Sequence, residues 1–201
     1  MKITHIKFLS LITASLLASS VMASDGTLKF TGDIVAASCA ITGGSGTSAG
    51  TENGKQIINV PMGKVSMDSL GSASGANSSI AAGKNINLSL DCGNTGTGLT
   101  GVKVAFDPAS GSGFDSNNNA LLALEPGGAK GVGIGIYDTS NKLLNLRAGE
   151  YFTAALVEAD DGTGKKKYTA DLNIRAAYVK NGGELGTGAA SANMPFTITY
   201  Q

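Results

Sequence analysis

The chain has 201 residues, 15 Lys+Arg against 15 Asp+Glu, a single histidine and no tryptophan. That neutral balance gives no electrostatic footprint for nucleic acid or anionic lipid, and one histidine leaves little for nucleophile–base chemistry. Glycine supplies 29 residues, about twice its usual ~7% share, a composition of short strands joined by many turns.

The chain opens with Lys2, His5 and Lys7, followed by the apolar run "FLSLITASLLASSVMA". The run is short and rich in Ser and Ala, unlike a membrane anchor, and Val21 and Ala23 suit the small-residue pockets of a signal peptidase. Residues 1–23 are therefore read as a signal peptide cleaved after Ala23. Cleavage leaves 178 residues with 13 Lys+Arg against 15 Asp+Glu, and it removes His5. That length suits one domain with a sizeable core.

The first strand candidate is "TLKFTGDIVAASC", with Leu28, Phe30, Gly32 and Ile34 on one face and Lys29, Thr31 and Asp33 on the other. After Cys39, "TGGSGTSAGTENGKQ" has too little apolar surface to pack and is read as a loop. Strand signals then recur in "QIINVPMGKV", "KNINLSLDC", "GVKVAFDP", "GVGIGIYD", "EYFTAALVEA" and "YTADLNIRAAYVK". Clusters of Gly, Asn, Asp and Pro separate them, which argues for a sandwich or barrel. "MDSL" and "SSIAAG" offer short helical turns at most. The chain ends in "ANMPFTITYQ", where Met194, Phe196, Ile198 and Tyr200 alternate with Thr197, Thr199 and Gln201. This is a half-buried strand with no partner strand after it.

Cys39 and Cys92 both fall in the exported part, where an even pair is most simply one disulfide, two free buried thiols being the alternative. Closing that loop is worth roughly 4 kcal/mol on the chain-entropy account. In "INLSLDC", Ile86, Leu88 and Leu90 point inward with Cys92 in phase, so a bridge would pin the first strand to this sheet.

Catalytic parts are missing. No Gly-x-Ser-x-Gly elbow is visible, and two cysteines without a mature histidine cannot make a zinc cluster. Asp115, Asn117 and Asn119 suggest a calcium loop, but Ala120 stands where that motif needs glycine and Glu125 comes one residue early, leaving a polar turn. Lys165, Lys166 and Lys167 are read as solvating a hairpin end opposite Asp160 and Asp161. No cofactor and no metal is expected, and the chain is read as not an enzyme.

Taken together, the signal peptide, "TLKFTGDIVAASC", "VPMGKV", "INLSLDC", "AAYVKNGG" and "FTITYQ" resemble the type 1 fimbrial subunits of the bacterial chaperone–usher pathway. That family carries a glycine fourteen residues from its end and a penultimate aromatic. Gly188 and Tyr200 stand at those positions, counting Gln201 as the first. One departure is the longer loop between the cysteines, residues 43–55, expected as a surface insertion.

The resemblance implies an all-β fold, an incomplete immunoglobulin-like β-sandwich lacking its final strand and completed by a donor strand. Residues 24–38 would be the donor-strand segment, with Leu28, Phe30 and Ile34 as knobs and Gly32 over a shallow part of the acceptor, and residues 39–201 the pilin domain. Gly188, Met194, Phe196, Ile198, Tyr200 and Gln201 would form the groove edge that a chaperone strand also uses, with the Gln201 carboxylate anchored. The implied partners are neighbouring pilin subunits in a homopolymer, a periplasmic chaperone and an outer-membrane usher, with export through the periplasm to a cell-surface fimbrium serving adhesion. The alternative is a minor or tip-proximal subunit that binds a host receptor or glycan. Tip adhesins of the family usually carry an extra lectin domain, for which this chain has no room.

Overall fold

Period-two patterning dictates extended chain, and strands dominate the computed structural model, which describes residues 39–52, 55–72 and 83–201. The leader (1–23), the donor segment (24–38, with Leu28, Phe30, Gly32 and Ile34) and most of "SSIAAG" lie outside the described residues. The strands in chain order are β1 (Ala40–Gly43), β2 (Ser48–Glu52), β3 (Lys55–Asn59), β4 (Gly71–Ser72), β5 (Lys84–Asp91) and β6 (Gly101–Phe106). There follow β7 (Val132–Tyr137), β8 (Phe152–Ala155), β9 (Val157–Asp160), β10 (Lys166–Lys180) and β11 (Phe196–Tyr200). "MDSL" forms a 3-10 turn at Met67–Ser69.

Strand β10, 15 residues long, is the spine of the larger sheet. β5 pairs with it antiparallel from Thr169 to Ala176, and β9 and β7 share its opposite edge. The short β4 runs parallel to its last two residues, and β1 covers the outer edge of β5. The second sheet is antiparallel in the order β11-β6-β8. "EYFTAALVEA" is thus two strands, since β8 joins the second sheet and β9 the first, with buried Leu156 at the crossing.

The sheets face each other across one apolar core. Ile86, Leu88 and Leu90 of β5 and Leu172 and Ile174 of β10 meet Val102 and Val104 of β6 and Phe152 of β8. Every second residue of these strands points inward, so the core follows directly from the alternation. β7 is buried on both faces because Leu121, Leu143, Tyr137, Ala177 and Val179 make a smaller cluster on the outer side of the sheet. A Cβ on Gly135 would stand 2.9 Å from the Leu143 Cδ1 atom, so this face takes glycine.

One expectation fails here. Residues 42–56 are not a structureless loop: β2 and β3 form an antiparallel hairpin, joined to β1 by a tight turn in which the Thr47 N–H donates to the Gly44 carbonyl. Counting apolar side chains missed it because β2 is held by its backbone ladder to β3 and needs little burial of its own.

Two polar features resolve as turns. The buried Asp115 carboxylate accepts from the backbone N–H groups of Asn117 and Asn118 and from the Asn181 side chain at 2.7–2.9 Å. At the β9–β10 hairpin, Asp160 and Asp161 accept backbone N–H groups, while Lys166 pairs with Glu158 and Lys167 with Asp91, both at 2.8 Å. Lys166 and Lys167 therefore pair directly with carboxylates on the strands, while Lys167 also acts through space on Asp161 in the turn.

Candidate functional site

The distinctive concavity is a cleft of about 1130 Å³ between two extended segments. One wall is β11 with the chain leading into it, residues 190–200. The other is β3 and its continuation, residues 56–62. The floor is the inner face of the larger sheet, where the buried Ile86, Ile134, Ile174 and Tyr178 line the cleft.

Both walls alternate. Ala190, Ala192, Met194, Phe196, Ile198 and Tyr200 are half-buried and line the cleft; Ser191, Asn193, Pro195, Thr197 and Thr199 are exposed, the first three of them also bordering the cleft. Across from them Gln56, Ile58, Val60 and Met62 are half-buried in the same rhythm. The Gln56 side chain ties its wall to the sandwich by donating to the Ile41 carbonyl at 2.9 Å. Continuation of the alternation past the end of β3, through Pro61, shows that side-chain packing holds this segment extended. Among the described residues no backbone hydrogen bond is made by residues 60–65.

Hydrogen bonding on the C-terminal wall follows the same parity. Gln201 and Gly101 exchange backbone bonds at 2.9 and 3.1 Å, so Thr199 and Thr197 take the hydrogen-bonded positions opposite β6. Upstream, the carbonyls of Pro195, Asn193, Ser191 and Ala189 accept from Asp107, Ser112, Glu125 and Ala129 at 2.7–2.9 Å. The odd-numbered residues thus bond to the body of the protein. Phe196, Ile198 and Tyr200, and Ala192 and Met194 before them, turn N–H and C=O toward the cleft. Among the described residues no strand pairs with that edge.

Glycines let this wall sit close to the body. A Cβ on Gly188 would stand 2.7 Å from the Ala129 nitrogen and the Gly128 carbonyl carbon, and Cβ atoms on Gly128 and Gly111 would collide with the carbonyls of Ala189 and Asn193. The cysteines are joined: Cys39 and Cys92 form a disulfide with Cα atoms 4.0 Å apart, beside the pairing of β1 with the end of β5.

Of the residues singled out in the sequence, Met194, Phe196, Ile198 and Tyr200 come together on one wall. Gly188 lies in the close-packed seam upstream, and Gln201 closes the wall against Gly101. The opposite wall of Ile58, Val60 and Met62 was not singled out, although "QIINVPMGKV" carries the alternation that marks it. Among the described residues no group of three or more His, Cys, Asp or Glu side chains could hold a metal ion.

The family profile described as fimbrial protein matches residues 28–201. The chain belongs to that family, in its type 1 pilin branch. It is 31% identical to long polar fimbria protein A of Salmonella typhimurium, over 96% of this chain and 93% of that protein. It is 32% identical to a probable major fimbrial subunit of Escherichia coli O157:H7, over 88% and 84% of the two chains, and 30% identical to the type-1 fimbrial protein A chain of Escherichia coli K12, over 96% and 93%. Among solved structures, the P pilus rod subunit PapA is similar at 21% identity and a TM-score of 0.48, over 78% of this chain and 100% of that one. The fold is the all-β, incomplete immunoglobulin-like sandwich expected of a pilin. As a member of the family, the protein is a structural subunit of an adhesive, surface-exposed fimbrium, assembled with other pilin subunits and not enzymatic.

Proposed function

We propose that the cleft accepts a strand donated by a neighbouring subunit, and that the fimbrium polymerises by this exchange. The observation that carries the proposal is the parity of residues 190–200. Apart from the Ala190 carbonyl, the same residues that turn apolar side chains into the cleft also turn N–H and C=O groups along its rim that no strand pairs with among the described residues. An apolar cleft with an open edge is a liability in water, and a strand with alternate apolar residues answers both needs at once. Strand addition to an open edge is an established recognition mode, chaperone–pilin complementation being a known instance.

Residues 24–38 supply a matching strand. Leu28, Phe30 and Ile34 would fill the cleft, each worth about 1.5–3 kcal/mol on burial. Gly32, in phase with them, needs no space for a side chain, and Lys29, Thr31 and Asp33 would face water. Before assembly the cleft needs a temporary occupant, the role we assign to a periplasmic chaperone, with an outer-membrane usher catalysing the exchange.

The test is assembly in cells carrying a matched chaperone and usher. Wild type should give heat-resistant ladders on denaturing gels and fibres in the electron microscope. Gly32→Arg, and deletion of residues 24–35, should leave chaperone-bound monomers. Polymerisation of the deletion variant would refute the proposal.

A further inference from the structure

The open edge has an end, and one side chain makes it. Along the C-terminal wall the even-numbered residues present their backbone groups to the cleft, and the first of them is Ala190. Its carbonyl is already taken, because the Tyr178 hydroxyl donates to it at 2.6 Å. Tyr178 rises from β10 through the cleft floor and is 7% exposed. The phenol therefore stands where an incoming main-chain N–H would have to stand. Just upstream, Ala189 is bonded to Ala129 and Gly188 is pressed against residues 128–129, so the chain leaves the cleft for the body of the protein.

We infer that Tyr178 is a positioning residue that terminates the strand-accepting edge at Ala192, limiting an inserted strand to a ladder of about nine residues opposite 192–200. The inference rests on the strand-insertion proposal and deepens it, since it states which peptide fits: an extended segment with five inward-facing positions, about 30 Å long at ~3.3 Å per residue. Residues 28–36 of this chain have that form, with Leu28, Phe30, Gly32, Ile34 and Ala36 in phase. Chain beyond the ninth residue finds no acceptor and is released from the sheet, and there an inserted strand can turn back toward its own domain.

The experiment follows dissociation of fluorescent synthetic peptides from the mature full chain by anisotropy. The peptides cover residues 28–36 and two extensions, 26–36 and 28–38, and the proteins are wild type and Tyr178→Phe. Competition from the chain's own segment acts on all peptides alike. From wild type, all three peptides should dissociate at the same rate. From Tyr178→Phe, one extended peptide should dissociate about two- to ten-fold more slowly than the short one, the value of one recovered main-chain hydrogen bond. A merely structural tyrosine would change all three rates together, which overturns the inference. So does an extension that slows release equally from both proteins, or from neither. If no peptide binds wild type at all, strand insertion itself fails.

Discussion

Gly188 shows how much one missing side chain can decide. Its backbone is not in the left-handed region, so its need for glycine is steric: a Cβ would press on the backbone of residues 128–129, which cannot move aside as a flexible side chain could. Gly188→Ala is expected to cost about 1–3 kcal/mol, as overpacking does, read as a lower denaturation midpoint. The sequence offered this glycine only through its place in a family pattern, because the residues that crowd it lie some sixty positions earlier. Tyr178 was less legible still: "AAYVK" marks a strand, but the carbonyl its hydroxyl meets lies twelve residues on. Asp91 carries a pH prediction. The Lys167 ammonium, first, and the Gly93 N–H hold its carboxyl below the usual aspartate range, against a smaller opposing effect of burial. A lowered pKa in the folded state gives stability that is present above the unfolded value and lost as pH falls through the folded one. Asp91→Asn should therefore lower stability at pH 7, with the deficit shrinking only as the pH falls below about 4 and gone once it is below the lowered folded-state value. Both groups are about two-fifths exposed, which keeps the effect at about 1 kcal/mol or less. Urea titrations of both proteins at several pH values measure it.

Among the elements, β11 was the most legible and β2 the least. Strict alternation in "MPFTITY" fixed which side chains share a face. The Ser/Gly/Thr-rich stretch after Cys39 has no such signal, and its hairpin comes from backbone pairing with "KQIIN". The opposite wall fell between these cases: Pro61 and Gly63 interrupt the strand pattern, yet side chains 56, 58, 60 and 62 keep one direction through them. Parity gives a sharp test on β11. Ile198→Arg places a charge in the cleft and should abolish heat-resistant ladders in the assembly assay, whereas Thr199→Arg, one residue on and facing solvent, should leave them intact. Loss of ladders in both would mean that β11 tolerates no change, and loss in neither that its cleft face plays no part in assembly.

For the whole molecule, the class of fold could be read from many short alternating segments and scarce helical pattern. The order of the strands could not. Nothing in the local pattern says that β10 serves two neighbours along one edge, or that the chain changes sheets at Leu156, because both depend on contacts distant in sequence. The disulfide was expected from cysteine count and compartment, and its position has a mechanical meaning. Cys39 stands immediately ahead of the four-residue strand β1, and the bond reaches Cys92 at the far end of β5. A pull on the chain ahead of Cys39 would otherwise peel β1 from β5 one pair at a time and drag the hairpin wall of the cleft after it. The covalent link routes tension around β1 to β5, which can yield only by shearing along eight residue pairs with β10 above a buried core. The hairpin wall of the cleft, β2 with β3, branches off after β1 and so lies off that covalent route.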